Sequence, residues 1–141
     1  MTSASAPPPI RRPTLSYGWA AICLAGNAAL ELLDLLRADR AARAAWPFVA
    51  GSGPNIAGVL AVAGAFVLIA LMAPPTRIAA WPKPRRINLG IDVAAAGLLL
   101  WEVLQPLTAH GVFDWFDLLA TLATAAVLRL TWPRLRWLDG S

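Results

Sequence analysis

Glu102 and Gln105 stand three residues apart, and Asp114 and Asp117 repeat that spacing a short turn later. On a helix, residues three or four apart share a face. Each pair therefore projects its polar groups in one direction. Thr121 and Thr124 extend the second pair into a narrow stripe, and Cys23, Asn27, Glu31 and Asp34 form another at spacings of four, four and three. Carboxylates, amides and hydroxyls so arranged can accept hydrogen bonds, share a proton or hold a cation. The sequence offers no Ser beside a base, no phosphate-cradling glycine loop and no ligand cluster for a metal. Its single Cys (Cys23) and single His (His110) exclude an intrachain disulfide and a bis-His haem. The expectation is a ligand-binding set of Glu102, Gln105, Asp117, Glu31 and Asp114, with no cofactor, no metal and no catalytic residue.

Around these groups the chain is apolar. Of 141 residues, 58% are hydrophobic and 14% charged, against the near-half and quarter of soluble domains. A membrane protein accounts for that balance. Four segments meet the 20 or so apolar residues that a bilayer requires: 17–36, 54–73, 88–107 and 114–132. The expected architecture is all-α and polytopic, with four transmembrane helices in a domain spanning 17–132. A Pro-rich leader (1–16) precedes it and a basic tail (133–141) follows. The leader's length and polarity argue for a retained first span rather than a cleaved signal. Prolines mark the joints, with Pro54 expected in the first turn of the second span.

Charge gives a direction. With four spans, Arg11, Arg12, Arg77, Lys83, Arg85, Arg86, Arg129, Arg134 and Arg136 share one side, nine of the twelve basic residues. The positive-inside rule then puts both termini in the cytoplasm. The net charge of +4 follows from these flanks, so nucleic acid is not the expected partner; the partners are the bilayer and other integral membrane subunits. Six of the seven tryptophans, all but Trp19, fall near span ends, as interfacial aromatics do.

Spans one and three end alike, Glu31-Leu-Leu-Asp34 and Glu102-Val-Leu-Gln105, which suggests two duplicated hairpins packed as a four-helix bundle. A carboxylate alone in hydrocarbon costs roughly 2.5–3.5 kcal/mol. Glu31 and Glu102 are therefore expected to turn inward and face each other. Asn55, Gly58, Ala61 and Ala65 give the second span a small-residue face for close packing, with Thr121 and Thr124 as interhelical contacts. The alternative for Asp114 is a helix N-cap, with Asp117 at the positive end of the helix dipole. His110 reads as a loop residue.

The segment 97–130, containing "EVLQPLTAHGVFDWFDLLATLATAAVL", resembles the VanZ-like family of small bacterial membrane proteins. The family's motif looks like Glu-x-x-Gln, a turn, then Phe-Asp-x-x-Asp before an Ala-rich span. Glu102, Gln105, Phe113, Asp114 and Asp117 match it in order and spacing. The basic residue that tends to precede Phe-Asp is missing from "HGVFD", and Thr121 and Thr124 fill the places of a later Asn and Gly. "NIAG" (55–58) looks like that Asn-x-x-Gly. The resemblance implies a cell-envelope protein of the bacterial inner membrane, linked in the named case to glycopeptide (teicoplanin) resistance. The expected function is an outward-facing pocket for a lipid headgroup or another envelope component. The alternative is a non-catalytic accessory subunit of a larger respiratory or photosynthetic complex.

Overall fold

The computed structural model describes residues 16–72, 77–108 and 113–135. The leader as far as residue 15, His110 and the tail from 136 lie outside the described residues. Among those described the fold is all-helical: α1 (Tyr17–Ala38), α2 (Arg40–Ala45), α3 (Pro47–Met72), α4 (Lys83–Leu104) and α5 (Trp115–Thr131), with short 3-10 turns at Gln105–Leu107 and Trp132–Arg134.

Three helical stretches are long and apolar enough to cross a bilayer: Tyr17–Ala38, Pro47–Met72 and Lys83–Leu107. The expected fourth, α5, has 17 residues. At 1.5 Å per residue it reaches about 25 Å, short of a hydrocarbon core of about 30 Å. α3 has 26 residues and reaches about 39 Å, longer than such a core is thick.

That length corrects the expected start of the second span. Pro47, not Pro54, opens the helix, and Pro54 lies within it. Pro54 leaves the Ala50 carbonyl without its usual N–H donor. Packing offsets this: Ala50 and Ser52 are buried, and Gly53 lies against Leu33 of α1. Tertiary contact overrides the poor helix propensity of Gly-Ser-Gly-Pro. The third helix also starts earlier than expected, at Lys83, with Pro84 in its first turn. Asp39 is a cap. Its Oδ1 accepts from Ala41 N at 2.8 Å and Ala42 N at 3.1 Å, opening α2.

α3 is the middle layer. It packs against α1 on one side and against α4 and α5 on the other, while α1 touches neither α4 nor α5 among the described residues. The expected closed bundle is therefore a layered stack. Neighbours run antiparallel, with Gly26 opposite Ala57–Ala61, Gly64 opposite Cys23 and Gly90 opposite Val67. Trp19, Val59, Ala63, Val67, Ile87, Ile91, Ala94, Ala125, Leu128 and Trp132 form the core. Trp132, expected as an interfacial anchor, is a core residue whose Nε1 donates to Asn88 Oδ1 at 3.0 Å. Trp46, Trp101 and Trp115 are exposed, as anchors would be.

Glycine sets the α1–α3 spacing. A Cβ on Gly26 would stand 2.3 Å from Ala61 N, and one on Gly64 would stand 2.7 Å from Cys23 N. Both obstacles are backbone, which cannot rotate away. Gly58, the glycine expected to make this contact, is buried but would meet only the Leu98 side chain at 3.9 Å. Gly64→Leu should therefore lower stability in detergent by about 1–3 kcal/mol or more, read as a fall in Tm. Gly58→Ala should leave Tm within error or raise it.

Candidate functional site: buried acceptors between α4 and α5

Two contacts fix the α4–α5 register. Asn88 accepts from Trp132, and Asp92 pairs with Arg129. One partner index rises as the other falls, so the helices are antiparallel. Continued along α4, this register sets Glu102 against the turn that begins at Asp117 and ends at Thr121. Gly90–Val67 and Leu98–Gly58 fix the α3–α4 register in the same way and bring Pro54 and Asn55 to the level of Glu102.

Glu102 occupies the last place in α4's inward stripe. Ile87, Ile91, Ala94 and Glu102 are buried and Leu98 is partly so, at helical spacings of three and four. A carboxylate thus stands where the pattern calls for a hydrophobe. On α5 the inward stripe is Asp117, Thr121, Ala125 and Leu128, the first half-buried and the rest buried. Glu102 is 2% exposed and Thr121 is 0% exposed.

These buried groups lack partners. Glu102 Oε2, Asp117 Oδ1 and Thr121 Oγ1 are shielded from solvent, and no hydrogen bond reaches them among the described residues. Nor does any described Lys or Arg pair with either carboxylate. Glu102 lies within electrostatic reach of Asp117 and, more weakly, of Asp114. Like charges and orphaned acceptors together make a site that a proton, a cation or an N–H donor would satisfy. Among the described residues no group of three His, Cys, Asp or Glu converges as metal ligands.

The other expected residues fall out variously. Asp114 caps α5, its Oδ1 accepting from Phe116 N at 2.8 Å. Asp117 is the acid of the first turn, where the helix dipole favours negative charge. Phe113 meets Trp115 edge to face, with ring centroids 4.9 Å apart. Gln105 is half-buried where α4 tightens into the 3-10 turn, and its carbonyl accepts from Thr108 Oγ1 at 2.8 Å. Asn55 is half-buried at the level of Glu102 without a hydrogen bond joining them. Thr124 Oγ1 bonds back to Ala120 O at 2.8 Å, so it is satisfied within its own helix.

Glu31 does not join this set. It is exposed, as are Asn27 and Asp34, and α1 does not touch α4. The expected Glu31–Glu102 pairing is not made. Gly26 and Cys23 set the face of α1 that meets α3, and Glu31 lies off that face. Asn27 meanwhile donates from Nδ2 to its own helix at Cys23 O, 2.8 Å away.

Sequence reasoning also missed a polar group at the other end of α4, formed by Trp81, Arg85, Asn88, Asp92 and Arg129. The signal available was Asn88 and Asp92, four residues apart, with Asp92 an isolated acid on a basic flank. Comparison with protein-family models, curated proteins and solved structures finds no match.

An unpaired buried carboxylate costs stability, which an apolar isostere avoids. Glu102→Met should raise the stability of the detergent-solubilised chain by about 1–3 kcal/mol, measured by thermal unfolding. A fall of that size would mean that the carboxylate holds the fold together.

Proposed function

We propose that this chain is a multi-pass envelope protein of the bacterial inner membrane whose α4–α5 site binds an amine-bearing lipid headgroup. The observation that carries the reading is the trio of unpartnered buried acceptors, Glu102 Oε2, Asp117 Oδ1 and Thr121 Oγ1. Two carboxylates and a hydroxyl match the three N–H donors of a primary ammonium. A charge-assisted bond of this kind is about twice as strong as a neutral one. The resemblance to the VanZ-like family falls on the same stretch and includes Glu102, Gln105, Asp114 and Asp117.

The charge pattern supports an orientation. α4 begins and α5 ends at the basic edge, so Glu102 belongs to the opposite, outward edge when both termini are cytoplasmic. α5 then serves as the fourth span, with the 3-10 turn Trp132–Arg134 completing its reach. The reading is of a binding protein; no residue is given a catalytic role.

The test is lipid binding to the purified full-length chain in mild detergent, followed by native mass spectrometry. Phosphatidylethanolamine offers three N–H donors, whereas phosphatidylcholine carries the same charge and none. The ethanolamine lipid should bind about tenfold more tightly or better, as expected for one charge-assisted hydrogen bond. Glu102→Gln and Asp117→Asn should each remove most of that preference. Equal binding of the two lipids contradicts the reading.

A second reading, an accessory subunit of a larger membrane complex, is favoured by the exposed stripe Asn27, Glu31 and Asp34 on α1. Facing lipid, such carboxylates cost up to roughly 2.5–3.5 kcal/mol each, less near the interface. A partner helix with donors would remove that cost. Mild-detergent purification from native membranes separates the two readings, since a stoichiometric partner released by Glu31→Leu supports the second.

A further inference from the structure

The opposite end of the α4–α5 layer holds a groove of about 530 Å³. Trp81, Arg85, Asn88, Leu89, Asp92 and Arg129 line it, with two prolines of the α4 entry. Arg85 lies over Trp81, its guanidinium carbon 4.0 Å from the ring centroid. No carboxylate pairs with Arg85 among the described residues. Arg129 is paired with Asp92, and both are about half exposed. The acid is thus neutralised within the groove, and Arg85 leaves a net positive charge.

Asn88 adds a directed donor. Its Oδ1 is taken by the Trp132 indole N–H at 3.0 Å, which fixes the amide and leaves its NH2 without a partner among the described residues. Two guanidinium groups and an amide N–H are the donor set of a phosphate site. α4 also begins here, with the positive end of its dipole. The location narrows the phosphate further. The groove lies where the apolar stretch Lys83–Leu107 starts, the end that meets lipid headgroups when such a stretch crosses a bilayer, and Leu89 gives it an apolar wall.

We propose that this groove binds the phosphodiester of an anionic phospholipid, held by Arg85, Arg129 and the Asn88 amide, in the leaflet at the basic edge of the protein. Trp81 positions Arg85 by stacking. The site lies about 20 Å along α4 from Glu102 and does not depend on the outward one. A diffuse basic flank would attract anionic lipid through any of its arginines, whereas the groove requires particular ones.

The full-length chain in mild detergent is titrated with dioleoyl-phosphatidylglycerol and, separately, dioleoyl-phosphatidylcholine, and bound lipid is counted by native mass spectrometry. Phosphatidylglycerol should saturate at one molecule per chain and bind at least about fivefold more tightly, the gain of one basic contact at a membrane surface. Arg85→Gln should abolish the preference. Arg77→Gln, which removes the same charge from the exposed loop at that end, should leave it intact. Glycerol 3-phosphate in excess should not compete. Equal affinity for the two lipids overturns the proposal, as does an Arg77→Gln loss equal to that of Arg85→Gln. Displacement by glycerol 3-phosphate overturns it in favour of a soluble anion site. Because the lipid comparison on the unsubstituted chain is decisive alone, a variant that fails to fold does not protect the proposal.

Discussion

A carboxylate enclosed by packed helices is shielded from water, and Glu102 is in that position. Among the described residues its Oε2 has no hydrogen-bond partner, and the charges that act on it, on Asp117 and Asp114, are of its own sign. Folding alone gives no reason to keep an acid there, since a leucine or methionine would complete the stripe of Ile91, Ala94 and Leu98. The functional reading rests on this conflict between local burial and local chemistry, the kind of inconsistency that functional sites retain. Thr121 and Asp117 sharpen it, because both orphaned groups come from the one α5 turn that the antiparallel register sets against Glu102.

The helices and the polar cluster at the C-terminal end of α4 were largely legible in the sequence, because hydropathy and three-four spacing are local properties. Of the polar residues expected to face inward, Glu102 and Thr121 are buried, Asp117 is half-buried and Asp114 is exposed. Glu31 is exposed too, although its surroundings in sequence look like those of Glu102. α1 is apolar on most of its circumference, so periodicity does not choose the face that it buries. Backbone contact chooses it, through Gly26 against Ala57–Ala61 and Cys23 against Gly64. A glycine's significance appears only when its neighbour across the interface is known. The same blindness led to Gly58 in place of Gly64, and to Pro54 as a helix start when packing against Leu33 carries the helix through it.

The two ends of the α4–α5 layer are chemically opposite. At one, two carboxylates and a hydroxyl have buried oxygens without partners among the described residues. At the other, donors are gathered around a single neutralised acid, and Trp132 and Arg129 of α5 are tied to Asn88 and Asp92 of α4. Those ties fix the register that sets α5 against Glu102. An element too short to span hydrocarbon comfortably is thereby anchored at its basic end and capped at the other by Asp114. α3 supplies the common wall behind both ends, and α1 stands outside them. The position of α1 explains how its polar stripe can remain exposed without disturbing either group.

The measurement closest to the central claim is the relative accessibility of positions 31 and 102. In a Cys23→Ala background, Glu31→Cys and Glu102→Cys are treated with N-ethylmaleimide in intact membranes and in mild detergent, and labelling rates are compared. The account predicts that position 31 reacts much faster than position 102, and that position 102 becomes reactive only on denaturation. Ready labelling at position 102 in the folded chain, or equal rates at the two positions, would contradict a carboxylate enclosed between α4 and α5.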